Sequence, residues 1–184
     1  MKTKSTLILF MFLLLLSPLY SQLRLPKLIS DGMILQRDTK VKIWGWSSVH
    51  ETVSIKFLEK IYKTKADKNG NWSISLPKLK PGGPHNMTIK SGVEITIKNI
   101  LIGDVWLCSG QSNMELSMQR VSPIYEKEIA ESENPNIRQF TIPQKYDFVN
   151  KRTDFESGEW ISSNPNNVLK FSAVAYFFAN ELYK

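Results

Sequence analysis

The chain contains few of the residues that form covalent cross-links or carry out histidine chemistry. It has one cysteine and two histidines in 184 residues. Because a disulfide needs two cysteines, no internal disulfide can form. Cys108 follows the apolar residues Trp106 and Leu107, so we expect it to be a buried, unreactive thiol. The histidines, His50 and His85, lie in segments rich in turn residues, and we expect both in surface loops.

The chain also lacks a dense cluster of basic residues, although its formal net charge is +7. Its lysines instead alternate with apolar residues, as in residues 40–44, which is typical of a strand with one solvated face. Binding along nucleic acid phosphates requires lysine and arginine gathered on one face. We therefore expect no nucleic acid partner.

No apolar run in the sequence is long enough to span a bilayer. Residues 7–16 are continuously apolar, follow the basic Lys2 and Lys4, and precede the breaker Pro18 and the small Ser21. This order is typical of a secretory signal peptide. We predict that residues 1–21 are removed, that the protein is secreted or periplasmic, and that no membrane span remains after cleavage.

Residues 22–99 show an alternation of apolar and polar residues with a period of two, which predicts short strands. Turn signals separate the alternating segments, among them Asn69-Gly70, which favours a primed hairpin turn. We predict a small β-sandwich domain over residues 22–99. The predicted strands are 41–46, 52–57, 71–76, 86–90 and 93–98.

Three tryptophans, Trp44, Trp46 and Trp72, lie on these predicted strands. The simpler interpretation is that they fill the core of the sandwich. The alternative is a non-catalytic carbohydrate-binding or adhesion module in which the indole rings stack on sugars. Because only Gly45 separates Trp44 from Trp46, both rings project from the same face of their strand.

The pattern changes at residue 100. Residues 100–108 are almost continuously apolar, which predicts a strand covered on both faces, as in a parallel sheet. A helix, a strand, a long polar loop and a helix capped by Ser172 are predicted after it. Strand, helix, strand and helix in this order predict an α/β domain that is incomplete within residues 100–184. The later segments are 112–121, 137–143, 146–167 and 171–184.

Residues 103–117, GDVWLCSGQSNMELS, pose the question of whether Ser112 is a nucleophile. Ser112 and Glu115 match a capping box, in which the serine hydroxyl accepts a hydrogen bond from the helix start. The same serine follows a predicted buried strand, at the edge of the sheet where α/β proteins bind ligands. Gly110 would let a substrate approach the main chain closely. The two interpretations are compatible.

The segment IGDVWLCSGQSNME, residues 102–115, resembles the first catalytic block of the sialate O-acetylesterase family, a branch of the SGNH (GDSL-like) hydrolases. The likeness extends over residues 25–38, 41–46 and 167–183 in the same order. It implies the N-terminal portion of such an esterase, with an α/β domain of the SGNH, flavodoxin-like type after the β-rich segment.

The resemblance also implies the roles of individual residues. Ser112 would be the nucleophile and, through its backbone N–H, an oxyanion donor, while Gly110, Gln111 and Asn113 would contact the substrate. The substrate would be an O-acetylated sugar or glycan, notably 9-O-acetyl sialic acid, hydrolysed through an acetyl-enzyme. No metal or organic cofactor is implied. A related ester or lipid hydrolase on the same scaffold stays open.

A serine hydroxyl needs a base to accept its proton, usually a histidine. In the family, the catalytic histidine and its acidic partner lie beyond the position matching Lys184. Simpler roles are expected for Asp104, which should bond main chain in a buried strand, for Glu115 as a cap and for Asp154 in a polar loop. We therefore expect the C-terminal part of the domain to be missing and the 184 residues alone to be inactive.

Overall fold

The alternating segments of the first half of the chain form the strands that their periodicity predicts. The computed structural model describes residues 23–184, so the predicted signal peptide, residues 1–21, lies outside the described residues. All five predicted strands are present, and two further strands, β1 and β4, join them. The strands are β1 (Ile34–Gln36), β2 (Val41–Trp46), β3 (Thr52–Phe57), β4 (Lys60–Lys65), β5 (Asn71–Leu76), β6 (Gly82–Ser91) and β7 (Val93–Gly103).

Five of these strands form a mixed sheet in the order β1-β7-β6-β3-β4, and β2 and β5 form an antiparallel ribbon. Strand β1 runs parallel to β7, whereas the other neighbours in the sheet are antiparallel. Side chains from both layers meet in one hydrophobic cluster that includes Ile43 and Leu76 of the ribbon and Val53, Ile89 and Ile100 of the sheet. The first half is thus a curled mixed sheet covered by a ribbon, while the sandwich domain over residues 22–99 stays a prediction.

The ribbon has two unlike faces because its side chains alternate. Trp72 is buried at 3% exposure, so its predicted core role is confirmed. It lies opposite Gly45 in the β2–β5 register. Trp44 and Trp46 are only half-buried, so the expectation that they fill the core is wrong in part. They project from the face of β2 opposite to that of Ile43 and Gly45.

One turn prediction is wrong. Only Gly70 of the Asn69-Gly70 pair has a positive φ, and its N–H donates to the Asp67 carbonyl, closing a turn between strands that do not pair with each other. The two-residue turn with both φ values positive is instead Leu58-Glu59, at 49° and 60°, between the paired strands β3 and β4. The pairing of the flanking strands therefore decides the turn type, against the usual residue preference.

The strand predicted for residues 100–108 is correct only up to Gly103, where β7 ends. Residues 104–110 belong to no strand and are exposed, with Leu107 at 84%. No strand of residues 23–184 pairs with them, so they are not covered as a strand inside a sheet would be. Cys108 is accordingly exposed, and the prediction of a buried thiol is wrong.

The second half contains few regular elements. Strands β8 (Asn134–Phe140) and β9 (Trp160–Ser163) pair antiparallel, so within residues 104–184 the structure shows no parallel sheet. Strand β9 also lies within the segment predicted as a loop. The helices are α1 (Ser112–Glu115), α2 (Met118–Val121), α3 (Glu126–Ala130) and α4 (Ala173–Tyr183), with a 3₁₀ turn at Val168–Lys170.

The helix predicted over residues 112–121 is two short helices, because the backbone of Leu116 is extended, with ψ of 114°. The long terminal helix is confirmed as α4, and Ser172 caps it by accepting a hydrogen bond from the Ala175 N–H. Met118, Phe171 and Tyr176 are the largest members of a second, smaller hydrophobic cluster. No helix of residues 23–184 is long and apolar enough to cross a membrane.

Arg138 on β8 joins the second half to the first. Its Nη1 donates to the carbonyls of Gly32 at 2.7 Å and Asn99 at 2.6 Å, and its Nη2 donates to the Asn99 side chain. Trp160 Nε1 donates to the Leu28 carbonyl at 2.9 Å. These bonds link donors on β8 and β9 to main-chain carbonyls of the β-rich half, so the two halves support each other.

We expect Gly45→Ala to lower the free energy of unfolding by about 1–3 kcal/mol. The added Cβ would lie 2.4 Å from the Arg24 carbonyl oxygen and 2.8 Å from Cζ2 of Trp72. Urea denaturation followed by circular dichroism measures the effect. The matched control is Gly103→Ala, whose Cβ would meet nothing closer than Ile34 Cγ2 at 3.8 Å. Equal denaturation midpoints for the two variants would contradict the packing argument.

Candidate active site

The segment that leads to Ser112 is anchored where it leaves β7. The Nε of Arg37 donates to Asp104 Oδ1 at 2.8 Å, and the Val105 N–H donates to Gln36 Oε1 at 2.7 Å. The expectation that Asp104 lies in a buried strand and bonds main chain is therefore wrong. Its carboxylate is half exposed, and the hydrogen bond from Arg37 lowers the pKa of Asp104.

Ser112 is the first residue of α1, and it does not cap the helix. Gln111 occupies the cap position without a side-chain capping bond, and its carbonyl accepts from the N–H groups of Met114 and Glu115. The helix thus begins one residue earlier than a capping box at Ser112 requires. The Glu115 carboxylate accepts instead from Gln144 Nε2 at 3.1 Å. The capping-box prediction is wrong.

The hydroxyl of Ser112 lies at the surface, and so do Gly110, Gln111 and Asn113. Within residues 23–184, the Ser112 Oγ makes no hydrogen bond, and neither do the backbone N–H groups of Ser112 and Asn113. One nucleophilic group and two unengaged donors therefore occupy adjacent positions of the chain. This is the chemical set that an acyl-transfer site requires around a carbonyl group.

The start of α4 holds residues 110–116, which carry Ser112 and are called the serine turn, in place. The Ala173 N–H donates to the Leu116 carbonyl at 2.8 Å, and the Met118 N–H donates to the Phe171 carbonyl at 2.9 Å. The Ser172 hydroxyl also lies 3.5 Å from the sulfur of Met114. These contacts join residues more than fifty positions apart, so sequence reasoning missed the positioning role of Ser172 and identified it only as a helix cap.

Gly110 packs directly against α1. A Cβ at this position would lie 3.0 Å from the Cβ of Met114, a distance tighter than ordinary contact. The glycine therefore allows the chain to fold back onto the helix that carries Ser112. This contact is an additional reason for a glycine here, besides the substrate approach expected from the sequence.

An open, mainly apolar cleft of about 260 Å³ lies next to the serine turn. The Trp106 ring packs edge-to-face on Phe178 of α4, with the ring centroids 5.2 Å apart, yet Trp106 is 62% exposed. The cleft is lined by Trp106, Leu107, Cys108, Ser109, Met114, Val174, Ala175 and Phe178.

No histidine hydrogen-bonds to Ser112 in the described part of the chain. His50 is exposed in a turn with φ of 60°, as expected. His85 is not in a loop, which corrects that prediction: it lies on β6, partly buried, with its ring 6.0 Å from that of Phe57. Asp154 accepts from the Lys27 N–H at 3.0 Å and so fixes the long loop to the β-rich half.

Comparisons with known proteins place the chain beside esterases, although no family model matches it. A sialate O-acetylesterase of Rattus norvegicus is 32% identical over 53% of this chain and 20% of its own length. One from Mus musculus is 25% identical over 87% of this chain and 33% of its own length. The crystal structure of a carbohydrate acetylesterase from Xanthomonas citri matches with a TM-score of 0.82 and 37% identity, over 87% of this chain and 37% of that one.

The chain thus spans only about a fifth to a third of the length of the curated relatives it matches. The high TM-score over most of this chain supports the description of the fold as a curled mixed sheet with few helices.

We expect Arg37→Met to raise the pKa of Asp104 toward its ordinary value, because the hydrogen bond from Arg37 is the largest cause of the lowered pKa. In the unmodified protein, Asp104 stabilises the fold above the ordinary carboxyl pKa. This stabilisation is lost as the pH falls through the lowered value. The carboxyl ¹³C shift of Asp104 in an acid titration measures the change.

The control for this titration is Arg120→Met, which removes an exposed arginine that makes no ion pair within the described residues. It should leave the titration of Asp104 unchanged. An Asp104 titration that is the same in Arg37→Met and in the unmodified protein would contradict the assignment of this ion pair.

Proposed function

This chain is related to the sialate O-acetylesterases, and from that premise we propose that it hydrolyses acetyl esters on sugars with Ser112 as nucleophile, in concert with further residues that supply a base. The observation that carries the proposal is the state of Ser112. Its hydroxyl is exposed and unengaged, next to two backbone N–H groups that make no hydrogen bond within residues 23–184. A serine serving only as a helix cap would use its hydroxyl on the helix.

In the first step, the Ser112 Oγ attacks the acetyl carbonyl carbon, and its proton passes to a base. The carbonyl oxygen becomes an oxyanion, which the N–H groups of Ser112 and Asn113 stabilise. Collapse of this intermediate breaks the bond to the sugar oxygen, which takes a proton and leaves. Water then attacks the acetyl-enzyme, releases acetate and restores the serine hydroxyl.

We propose that Gly110, Gln111 and Asn113 contact the substrate. The amide groups of Gln111 and Asn113 are exposed on either side of Ser112 and can donate to, and accept from, sugar hydroxyls. Gly110 contributes through the close packing of its backbone on Met114, which keeps the serine turn tight.

The base is the part of the mechanism that residues 23–184 do not supply at Ser112. A serine hydroxyl without a proton acceptor is a weak nucleophile. We therefore propose that the 184 residues are inactive alone and that the base and its acidic partner come from the remainder of an SGNH-type domain. We also propose that residues 1–21 are a signal peptide and that the protein is secreted or periplasmic.

A second candidate function is a non-catalytic carbohydrate-binding module built on the β-rich half. The observation that favours it is the half-buried state of Trp44 and Trp46, whose side chains lie on the face of β2 opposite to that of Ile43. In this case Ser112 would have no chemical role, and its replacement would leave the function unchanged.

The esterase proposal is tested on the full-length product of the gene that encodes these residues. We expect Ser112→Ala to lower acetate release from O-acetylated sialic acid by at least about 10³-fold, because a serine nucleophile has no substitute in an acyl transfer. The matched control is Ser48→Ala, which removes an exposed serine between β2 and β3, outside the cleft, and should keep the activity.

Equal losses in the two variants would overturn the assignment of Ser112. Labelling by a fluorophosphonate at a residue other than Ser112 would do the same. Acetate release by the 184-residue chain alone would overturn the proposal that it needs a base from elsewhere.

A further inference from the structure

A groove on the β-rich half is separate from the serine cleft and shares no residue with it. Its volume is about 470 Å³, and it lies along the β2–β5 ribbon and the end of β4. Its lining comprises Lys42, Trp44, Gly45, Trp46, Thr64, Lys65, Asp67, Asn71, Trp72, Ser73 and Thr153.

The floor of the groove combines an aromatic ring with small polar neighbours. In the ribbon, Trp44 lies opposite Ser73 and Trp46 lies opposite Asn71, so the two indoles and two short polar side chains share the outer face. A flat ring beside hydroxyl and amide groups matches a sugar, which presents C–H bonds on its faces and hydroxyl groups at its rim.

The two indole rings are not equivalent. The guanidinium carbon of Arg24 lies 3.7 Å from the ring centroid of Trp46, so that ring already holds a cation. Trp44 packs against the large hydrophobic cluster and has no ring or cation stacked on it within residues 23–184. Its partly buried side chain lines the groove. Trp44 is therefore the platform that remains available to a ligand.

The charged groups of the groove favour an anion. Lys42 and Lys65 are exposed and make no ion pair with a carboxylate of the described residues. Asp67 is the acidic member of the lining, and it accepts from the backbone N–H groups of Asn69 at 2.8 Å and Asn71 at 2.9 Å. These bonds, first of all the one from Asn71, lower the pKa of Asp67, so its carboxylate stays ionised. The lining therefore carries two positive charges, Lys42 and Lys65, against one negative charge.

We propose that this groove is a second, non-catalytic binding site for a sugar ring that carries a carboxylate. The ring stacks on Trp44, and the carboxylate lies toward Lys42 and Lys65. Such a site would hold an acidic glycan on the protein independently of the chemistry at Ser112. The inference does not rest on the esterase proposal, because the two sites have no residue in common.

The test uses N-acetylneuraminic acid as probe and the 184-residue chain, with saturation-transfer NMR to follow binding. We expect saturable binding that weakens as ionic strength rises. Trp44→Leu keeps an apolar side chain but removes the flat ring, and we expect it to weaken binding about tenfold. Lys42→Met combined with Lys65→Met should weaken binding several-fold and remove its dependence on salt.

The matched control is Lys90→Met, which changes an exposed strand lysine outside the groove and should bind the probe as the unmodified chain does. Galactose, which has no carboxylate, should bind more weakly than N-acetylneuraminic acid. Far-UV circular dichroism of Trp44→Leu checks that the strands are retained, and the double lysine variant tests the site without touching the core.

The absence of saturable binding to the unmodified chain would overturn the proposal. Binding by Trp44→Leu and by the double lysine variant that is as tight as binding by the unmodified chain would also overturn it. A negative result in the acetate-release assay has no bearing on this titration, so the failure of either proposal can be recognised separately.

Discussion

Two main-chain hydrogen bonds determine where Ser112 lies. They run between residues 116–118 and residues 171–173 and tie the short helix α1 to the start of α4. A helix of four residues has almost no stability of its own, because nucleation fixes several dihedral angles for a single internal bond. The exposed serine therefore depends on a contact with the last helix of the chain, and not on local helix propensity. This dependence links the site to the packing of Phe171 and Tyr176 in the second cluster.

The second cluster depends in turn on the β-rich half. Arg138 donates hydrogen bonds to the main-chain carbonyls of Gly32 and Asn99, and the Asp154 carboxylate accepts one from the N–H of Lys27. In both cases, a side chain of the second half satisfies a backbone group of the first half. The small strand pair β8–β9 is thus held against a scaffold with a larger core. The sheet thus holds the second half in place, and the last helix of that half holds the serine turn.

The sequence predicted the strands of the first half well, because alternation with a period of two depends on local residues only. It missed β4, whose residues are mostly polar, and β1, which has three residues. The prediction was wrong for residues 104–108. Their apolar side chains indicated a buried strand, but no strand of the described residues pairs with them. Ser112 lies at a helix start, as its motif predicted, but it does not follow a buried strand directly, because β7 ends at Gly103. The capping box was not a reliable guide, because the helix start depends on distant contacts through Ser172. The residue types of Leu58 and Glu59 gave no indication that these residues adopt positive φ values.

The two edge strands of the five-stranded sheet affect how readily two copies of the chain can pair through their sheets. Strand β4 forms one border and carries Lys60, Lys63 and Lys65, while the other border is the three-residue strand β1. An edge rich in lysine repels an identical edge, and a very short edge offers few groups for pairing. The five-stranded sheet is therefore protected at both edges against edge-to-edge polymerisation.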